Sequence, residues 1–255
     1  MRNTPKQDKY YSVYRNRHSR VHHLAYIRLA KVLALLYALE QHNLSLWDKS
    51  IFDYGFGTGT FFHYCPKRSA LFGVELDSTN VGSVKEYLSK KSYAHVDLRV
   101  INERQWRDHE LLTRQYDLVI ASHVLEHLRE PVELLARLLS CLTPEGYLLG
   151  ALPINELVSH ENHEWVVDKG LIEEWAGVAR AQIIEYWELD RFTFCALPVF
   201  NKKSALGRLL SQATSLGLGV PAALLGRRLW FKLDNLLGKI TRIKPAQAVF
   251  LMRPL

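Results

Sequence analysis

The sequence Ile51-Phe52-Asp53-Tyr54-Gly55-Phe56-Gly57-Thr58-Gly59 predicts a short buried strand that runs into a glycine-rich turn. Glycines let the backbone turn tightly and let a ligand approach the main chain. A second apolar stretch, Leu71-Phe72-Gly73-Val74-Glu75, ends on a carboxylate. A carboxylate at the tip of the next strand accepts hydrogen bonds from a ribose. The two stretches together indicate an α/β fold that binds a nucleotide-like ligand.

The glycine spacing separates two classes of ligand. The dinucleotide fingerprint is G-x-G-x-x-G/A, and here its third position is Thr60. The pattern D-x-G-x-G-x-G formed by Asp53, Gly55, Gly57 and Gly59 instead resembles motif I of the class I S-adenosylmethionine (SAM) methyltransferases. A glycine-rich turn without a ligand is the structural alternative.

Length and composition favour one large α/β domain with elaborations. The chain has 255 residues, of which 48% are hydrophobic, so it can bury a sizeable core. Its three cysteines, Cys65, Cys141 and Cys195, are odd in number and form no CxxC pair, which favours free thiols in a reducing cytoplasm. We find no secretory signal and no apolar run long enough to span a bilayer.

Charge is distributed unevenly along the chain. Residues 1–31 carry a net charge of +7, residues 32–200 carry −9 and residues 201–244 carry +8. Two basic flanks around an acidic body fit either solvated helix faces or contact with a polyanion or a membrane surface.

Strands and helices are predicted to alternate along the chain, which argues for a parallel sheet with helices on both faces. Residues 10–42 carry apolar side chains at helical spacing, and Ser78 is a plausible N-cap of a later helix. The strands predicted after motif I are Ala70–Glu75, Leu98–Ile101, Tyr116–Ala121 and Tyr147–Leu152. We divide the chain into an N-terminal helical lid (1–46), a core (47–200), a basic amphipathic helical insertion (201–245) and a last core strand (246–255).

Further motifs extend the resemblance to the methyltransferases over about residues 50–155. The segment 116–128, YDLVIASHVLEHL, resembles the fourth-strand motif of this superfamily, and 142–146, LTPEG, is similar to its LKPGG turn with Thr143 and Glu145 as departures. The resemblance implies a Rossmann-like sheet of seven strands that is mostly parallel and has an antiparallel last strand. Gln182–Glu188 and Ala248–Arg253 are the candidates for the closing pair.

The resemblance also implies a cofactor site for SAM. The loop from Gly55 to Gly59 would hold the methionine moiety, Glu75 the ribose hydroxyls, and Asn102 the adenine, although many members have Asp at that last position. The full set of expected cofactor-binding residues is Asp53, Gly55, Gly57, Gly59, Glu75, Leu76, Asn102 and Ser122.

Histidines gather at the carboxyl edge of the predicted sheet, where open α/β sheets bind ligands. His123 and His127 are spaced i, i+4 around Glu126, and His160 and His163 follow the fifth strand. They suggest a general base, a metal site or both, and we take all four as catalytic candidates with His123 and His163 first. Small-RNA 2′-O-methyltransferases carry an E-x-x-E-H metal motif here, but His123 replaces its first glutamate. We therefore assign no metal.

These patterns predict a SAM-dependent methyltransferase that acts on oxygen of a small molecule or a glycan intermediate. RNA 2′-O-methylation is the second enzymatic hypothesis, and a non-catalytic SAM-binding scaffold is the third. The insertion at 201–245 fits a peripheral membrane contact at the inner face of a membrane, with Trp230, Phe231 and leucines in the bilayer interface. The alternative, which we place ahead of the membrane contact, is a cover for the sheet or a homodimer contact.

Overall fold

A seven-stranded sheet forms the centre of the molecule. The computed structural model describes residues 26–102, 106–155, 163–191 and 224–255, with five further positions between 213 and 222. The strands lie in the order β3-β2-β1-β4-β5-β7-β6, and only β7 runs antiparallel to its neighbours. Their bounds are β1 Ser50–Tyr54, β2 Ala70–Glu75, β3 His95–Val100, β4 Tyr116–Ser122, β5 Leu142–Pro153, β6 Ala181–Leu189 and β7 Gln247–Pro254. This topology confirms the Rossmann-like fold predicted from the motifs.

Helices cover both faces of the sheet, as the alternating pattern predicted. We label those in the described residues α1 Tyr26–Gln41, α2 Ser78–Ser89, α3 Pro131–Ser140, α4 Lys169–Val178 and α5 Arg227–Thr241. Adjacent residues of a strand belong to two separate hydrophobic cores, one on each face of the sheet. Ile51 packs with α1, α2 and α5, whereas Phe52 packs with α3 and α4. The same alternation holds in β7, where Val249 and Phe250 enter opposite cores.

Several local expectations need correction. Asp77, not Ser78, caps α2, because its side chain accepts a hydrogen bond from the Thr79 N–H at 2.8 Å. The third strand, expected from Leu98, already begins at His95 because it pairs with β2 from Ala70 onward. The segment directly after the glycine loop forms a single 3₁₀ turn, Phe61–Tyr64. For the helix expected over 10–42, only the part from Tyr26 lies within the described residues.

Helix α5 belongs to the segment between β6 and β7, where the helical insertion was expected. Its Phe231 ring packs against Tyr37 of α1 with centroids 5.1 Å apart. Buried Asp234 accepts a hydrogen bond from the Arg191 N–H at 2.6 Å, which fixes the helix to the end of β6. None of the described helices is long and apolar enough to cross a bilayer.

Candidate functional site

The glycine loop after β1 holds three glycines in the left-handed region, each with a different neighbour. Gly55, Gly57 and Gly59 have φ values of 73°, 54° and 66°. A Cβ on Gly55 would lie 2.7 Å from Val124 Cγ2, and one on Gly59 would lie 2.7 Å from Val84 Cγ1. Among the described residues, no atom would lie within 4 Å of a Cβ on Gly57. The outer glycines therefore serve packing, whereas Gly57 leaves open space above the backbone.

Glu75, at the carboxyl end of β2, closes this loop. Its Oε2 accepts a hydrogen bond from the Gly57 N–H at 2.7 Å, and its Oε1 accepts from the N–H groups of Leu76 and Asp77 at 2.9 and 3.2 Å. Burial raises the pKa of Glu75, and these three N–H groups oppose that rise only in part. The carboxylate thus orders the loop and also stands beside the space above Gly57.

Asp53 lies under the loop and is buried. Burial, with the nearby charge of Glu75 as the second cause, raises its pKa to about 8. A cationic ligand beside Asp53 would favour its ionised form and would lower that pKa.

The end of β4 turns toward the same loop. Ser122 is half-buried, and His123 adopts φ 54° while its N–H donates to the Ala151 carbonyl at 2.7 Å. The next residue, Val124, is the one that packs on Gly55. The turn Leu125–His127 that follows is therefore placed directly beside the glycine loop.

His123 is held between two protein partners. Its Nδ1 lies 3.4 Å from Glu126 Oε1, and its Nε2 lies 3.4 Å from Gln247 Oε1. Its side chain is only 13% exposed. Burial lowers the pKa of His123, the positive charge of Lys31 lowers it further, and Glu126 only partly opposes them. This arrangement suits a residue that orients Glu126 better than one that meets a substrate.

His127 and His163 form a more open pair above Glu126. Their rings meet edge to face with centroids 4.8 Å apart, and His127 is 33% exposed. His127 Nε2 lies 3.9 Å from Oε1 of Glu126, whose side chain is fully buried. The Glu164 N–H donates to the Glu126 carbonyl at 2.8 Å, which holds the segment after β5 against the turn. One ligand atom from each of Glu126, His127 and His163 lies within 4.8 Å of the others, so this trio could hold a metal ion.

The remaining predicted residues lie around this centre. Leu76 is 39% exposed beside Glu75, and Asn102 is exposed just beyond the end of β3. His160 lies outside the described residues. The structure thus brings His123, His127 and His163 together and places the expected cofactor residues at one sheet edge.

Sequence reasoning did not identify Gln247 as part of the site. It is buried at the first position of β7, where it donates to Asp190 Oδ2 while facing His123. An antiparallel last strand begins at the carboxyl edge of the other strands. The polar residue Gln247 at the start of this strand was therefore the sequence signal that could have placed it at the site.

Comparisons with known proteins point to one family. The model of a methyltransferase domain family matches residues 9–213. No curated protein sequence matches the chain.

Solved structures share the fold at low sequence identity. Coclaurine N-methyltransferase bound to N-methylheliamine and SAH (S-adenosylhomocysteine) aligns with a TM-score of 0.57 and 14% identity, over 89% of this chain and 71% of that one. A SAM-dependent methyltransferase from Clostridium acetobutylicum ATCC 824 aligns with a TM-score of 0.55 and 9% identity, over 98% and 99%. Magnesium protoporphyrin IX methyltransferase from Synechocystis PCC 6803, with bound SAH, aligns with a TM-score of 0.52 and 14% identity, over 73% of this chain and 89% of that one.

Proposed function

The chain belongs to the methyltransferase domain family, and we propose that it methylates an oxygen atom of a small molecule or of a glycan biosynthetic intermediate. It is a SAM-dependent methyltransferase, so the non-catalytic scaffold hypothesis is not retained. The observation that carries the proposal is the half-exposed His127, backed by the buried carboxylate of Glu126, on the turn that packs against the glycine loop.

The residues at the loop fit SAM. The open space above Gly57 admits a ligand against the backbone, and Glu75 stands beside it to accept hydrogen bonds from ribose hydroxyls. Asp53 offers a carboxylate to the cationic methionine end, and Leu76 offers an exposed apolar surface to the adenine. When bound, SAM supplies an electrophilic methyl group.

The histidine pair supplies what an oxygen acceptor needs. A hydroxyl must lose its proton as it is methylated, and a positioned base contributes typically about 10²–10⁴-fold. We assign to His127 the role of accepting the proton of the acceptor hydroxyl. The imidazolium that forms is stabilised by the negative charge of Glu126, whose Oε1 lies 3.9 Å from His127 Nε2. His123 Nδ1 lies 3.4 Å from the same carboxylate oxygen, and Gln247 in turn contacts His123. Alignment of the acceptor beside the loop supplies the rest of the acceleration.

The experiment that tests this proposal is acceptor identification. Purified protein is incubated with methyl-labelled SAM and separate pools of nucleotide sugars, lipid-linked glycan intermediates, small phenols and RNA. We expect label on an oxygen of a molecule from the first three pools. Label on RNA ribose would replace the proposal by the RNA hypothesis, and label on nitrogen or carbon would remove the role of His127 as a hydroxyl base.

A second candidate is metal-assisted methylation at the same centre. The favouring observation is the trio Glu126, His127 and His163, with ligand atoms within 4.8 Å of one another. Tetrahedral zinc at its usual ligand distances of about 2.0–2.2 Å would draw these atoms to roughly 3.4 Å apart. An ion there would hold and acidify the acceptor hydroxyl in place of a histidine base.

Metal content and chelation separate the two candidates. In the metal case, protein purified without chelator holds about one divalent ion per chain, EDTA abolishes turnover, and His163→Ala lowers the metal content. With the histidine base, EDTA-treated protein retains full turnover. His95→Ala is the matched control, because His95 lies at the start of β3, away from this edge.

A further inference from the structure

Helix α5 presents an apolar stripe to solvent. Leu229, Leu233, Leu236, Leu237 and Ile240 recur at helical spacing on one face, and they are 47%, 40%, 55%, 41% and 70% exposed. Leu224 and Leu225, just before the helix, are 80% and 44% exposed. Contiguous exposed apolar side chains of this kind mark an interaction surface rather than scattered surface leucines.

The opposite face of α5 is fixed to the protein. Trp230, Phe231, Asp234 and Gly238 are buried against α1 and Arg191. The aromatic residues expected from the sequence to enter a membrane interface are therefore core residues. Because this face is packed against the protein, the leucine stripe faces solvent.

Basic residues border the stripe. Lys232 and Lys239 lie on its flank, and Arg242 and Lys244 follow the helix, all of them exposed. The only acidic residue of α5 is Asp234, which is buried. Arg227 and Arg228 are instead paired with Glu40 of α1, at 3.5 and 2.9 Å. These four exposed cations thus lie where lysine stems can cover apolar surface while their charges reach an anionic plane.

We propose that the stripe on α5 docks on the surface of an anionic phospholipid bilayer, with the leucines and Ile240 at the acyl boundary and the basic flank among the headgroups. Apolar burial and attraction to anionic lipids together give such helices their affinity. This inference concerns where the protein sits and does not depend on the identity of the methyl acceptor.

A second copy of the chain fits this face less well than a bilayer does. A two-fold interface uses the same surface patch of both subunits. Packing α5 against its own copy would place Lys232 and Lys239 of both copies at one interface, and α5 has no exposed carboxylate to pair with them. An anionic lipid surface neutralises those charges.

The chain that carries the stripe continues to the carboxyl edge of the sheet, where the candidate site lies. Helix α5 starts beside Glu40, near the amino edge of the sheet, and its chain continues to Gln247 at the carboxyl edge. Gln247 faces His123 of the site. The short segment 242–246 therefore joins the proposed lipid contact to the strand that begins at the site.

Vesicle sedimentation tests the proposal. The full chain is mixed at low salt with vesicles of phosphatidylcholine alone or with phosphatidylglycerol. We expect binding to the anionic vesicles only, and release as added salt screens the charges. Lys232→Gln with Lys239→Gln should weaken partitioning roughly tenfold or more. Leu236→Gln with Ile240→Gln should do the same, because both side chains leave the apolar stripe.

Matched controls keep the outcome decisive. Lys67→Gln with Lys85→Gln removes the same charge from exposed positions elsewhere, and Val178→Gln with Leu255→Gln removes exposed apolar surface elsewhere. Both should bind vesicles like wild type. No binding to anionic vesicles at low salt, or equal binding to neutral ones, would overturn the proposal. So would a dimer in light scattering that Leu236→Gln with Ile240→Gln converts to monomer.

Discussion

The proposed cofactor half and the proposed acceptor half of the site are built in different ways. Most of the cofactor half comes from one continuous segment, 53–76, in which Gly57 and Glu75 are joined by a direct hydrogen bond of 2.7 Å, and only Asn102 and Ser122 come from later strand ends. The acceptor half joins the turn after β4, the segment after β5 and the first residue of β7, with His123 and Gln247 separated by 124 positions. Residues that are close in sequence can be recognised as a site from their spacing. Residues that come from distant segments can be recognised as a site only once the folded structure is known.

The two halves also differ in what an altered residue should disturb. Glu75 orders its own loop through three backbone N–H groups, so cofactor binding and local stability depend on the same side chain. His127 lies on a surface above Glu126, and turnover can depend on it without any effect on cofactor affinity. The four predictions below test this separation, from the largest expected effect to the smallest.

His127→Ala should lower turnover by about 10²–10⁴-fold and leave SAM affinity unchanged, because the base is lost while the glycine loop is untouched. Steady-state kinetics and calorimetric titration with SAM measure the two effects. His95→Ala should change neither. Normal turnover in His127→Ala would remove the proposed base, and a parallel loss of SAM affinity would break the separation between the halves.

Gly57→Val should weaken SAM binding by roughly 100-fold or more while the protein stays folded. The new side chain would enter the space that the described residues leave open, and a β-branched residue is strained at φ 54°. Gly82→Val is the control, since a Cβ there also meets no atom of the described residues within 4 Å but the backbone is helical. Wild-type affinity in folded Gly57→Val would contradict the cofactor site.

Glu75→Ala should lower both SAM affinity and the free energy of unfolding, each by about 1–3 kcal/mol, because ribose contacts and loop hydrogen bonds are lost together. Calorimetry and urea denaturation measure the two losses. If the free energy of unfolding of Glu75→Ala equals that of wild type, the three N–H groups find other partners. Glu75 would then contribute to cofactor binding but not to the stability of the loop.

SAM affinity should rise roughly tenfold between about pH 6 and about pH 8, because Asp53, with its pKa of about 8, ionises over this range beside a cationic ligand. Stability should move the opposite way. The native state keeps a proton on Asp53 that the unfolded chain has lost, so the free energy of unfolding falls as pH rises from about 4 to about 8. Asp53→Asn should flatten both profiles, and a pH-dependence that survives this substitution would point to another group.

Local sequence was enough to predict the fold and the family, and it supplied the candidate residues of the cofactor half. The spacing of Asp53, Gly55, Gly57 and Gly59, followed by Glu75, identified a SAM methyltransferase, and family and fold confirm it. Element ends were less predictable. Asp77 and Ser78 are both good N-caps by residue type, and only the hydrogen bond to Thr79 separates them.

The acceptor half and α5 needed contacts between distant segments. Nothing in the spacing of His123 and His127 shows that His123 is closed in by Gln247 while His127 stays half-exposed. Likewise, the pattern of α5 could not show which apolar residues face α1. The structure buries Trp230 and Phe231 and leaves the leucines outside.

The place of β7 in the sheet has a consequence for biosynthesis. This strand lies between β5 and β6, although it follows both in the chain. A nascent chain synthesised only as far as β6 must therefore hold an open strand edge on β5, with Leu148 to Pro153 lacking their pairing partners. Until β7 arrives, such an edge can pair with other chains, so an arrest of translation before residue 247 should yield an aggregation-prone product that chaperones must shield.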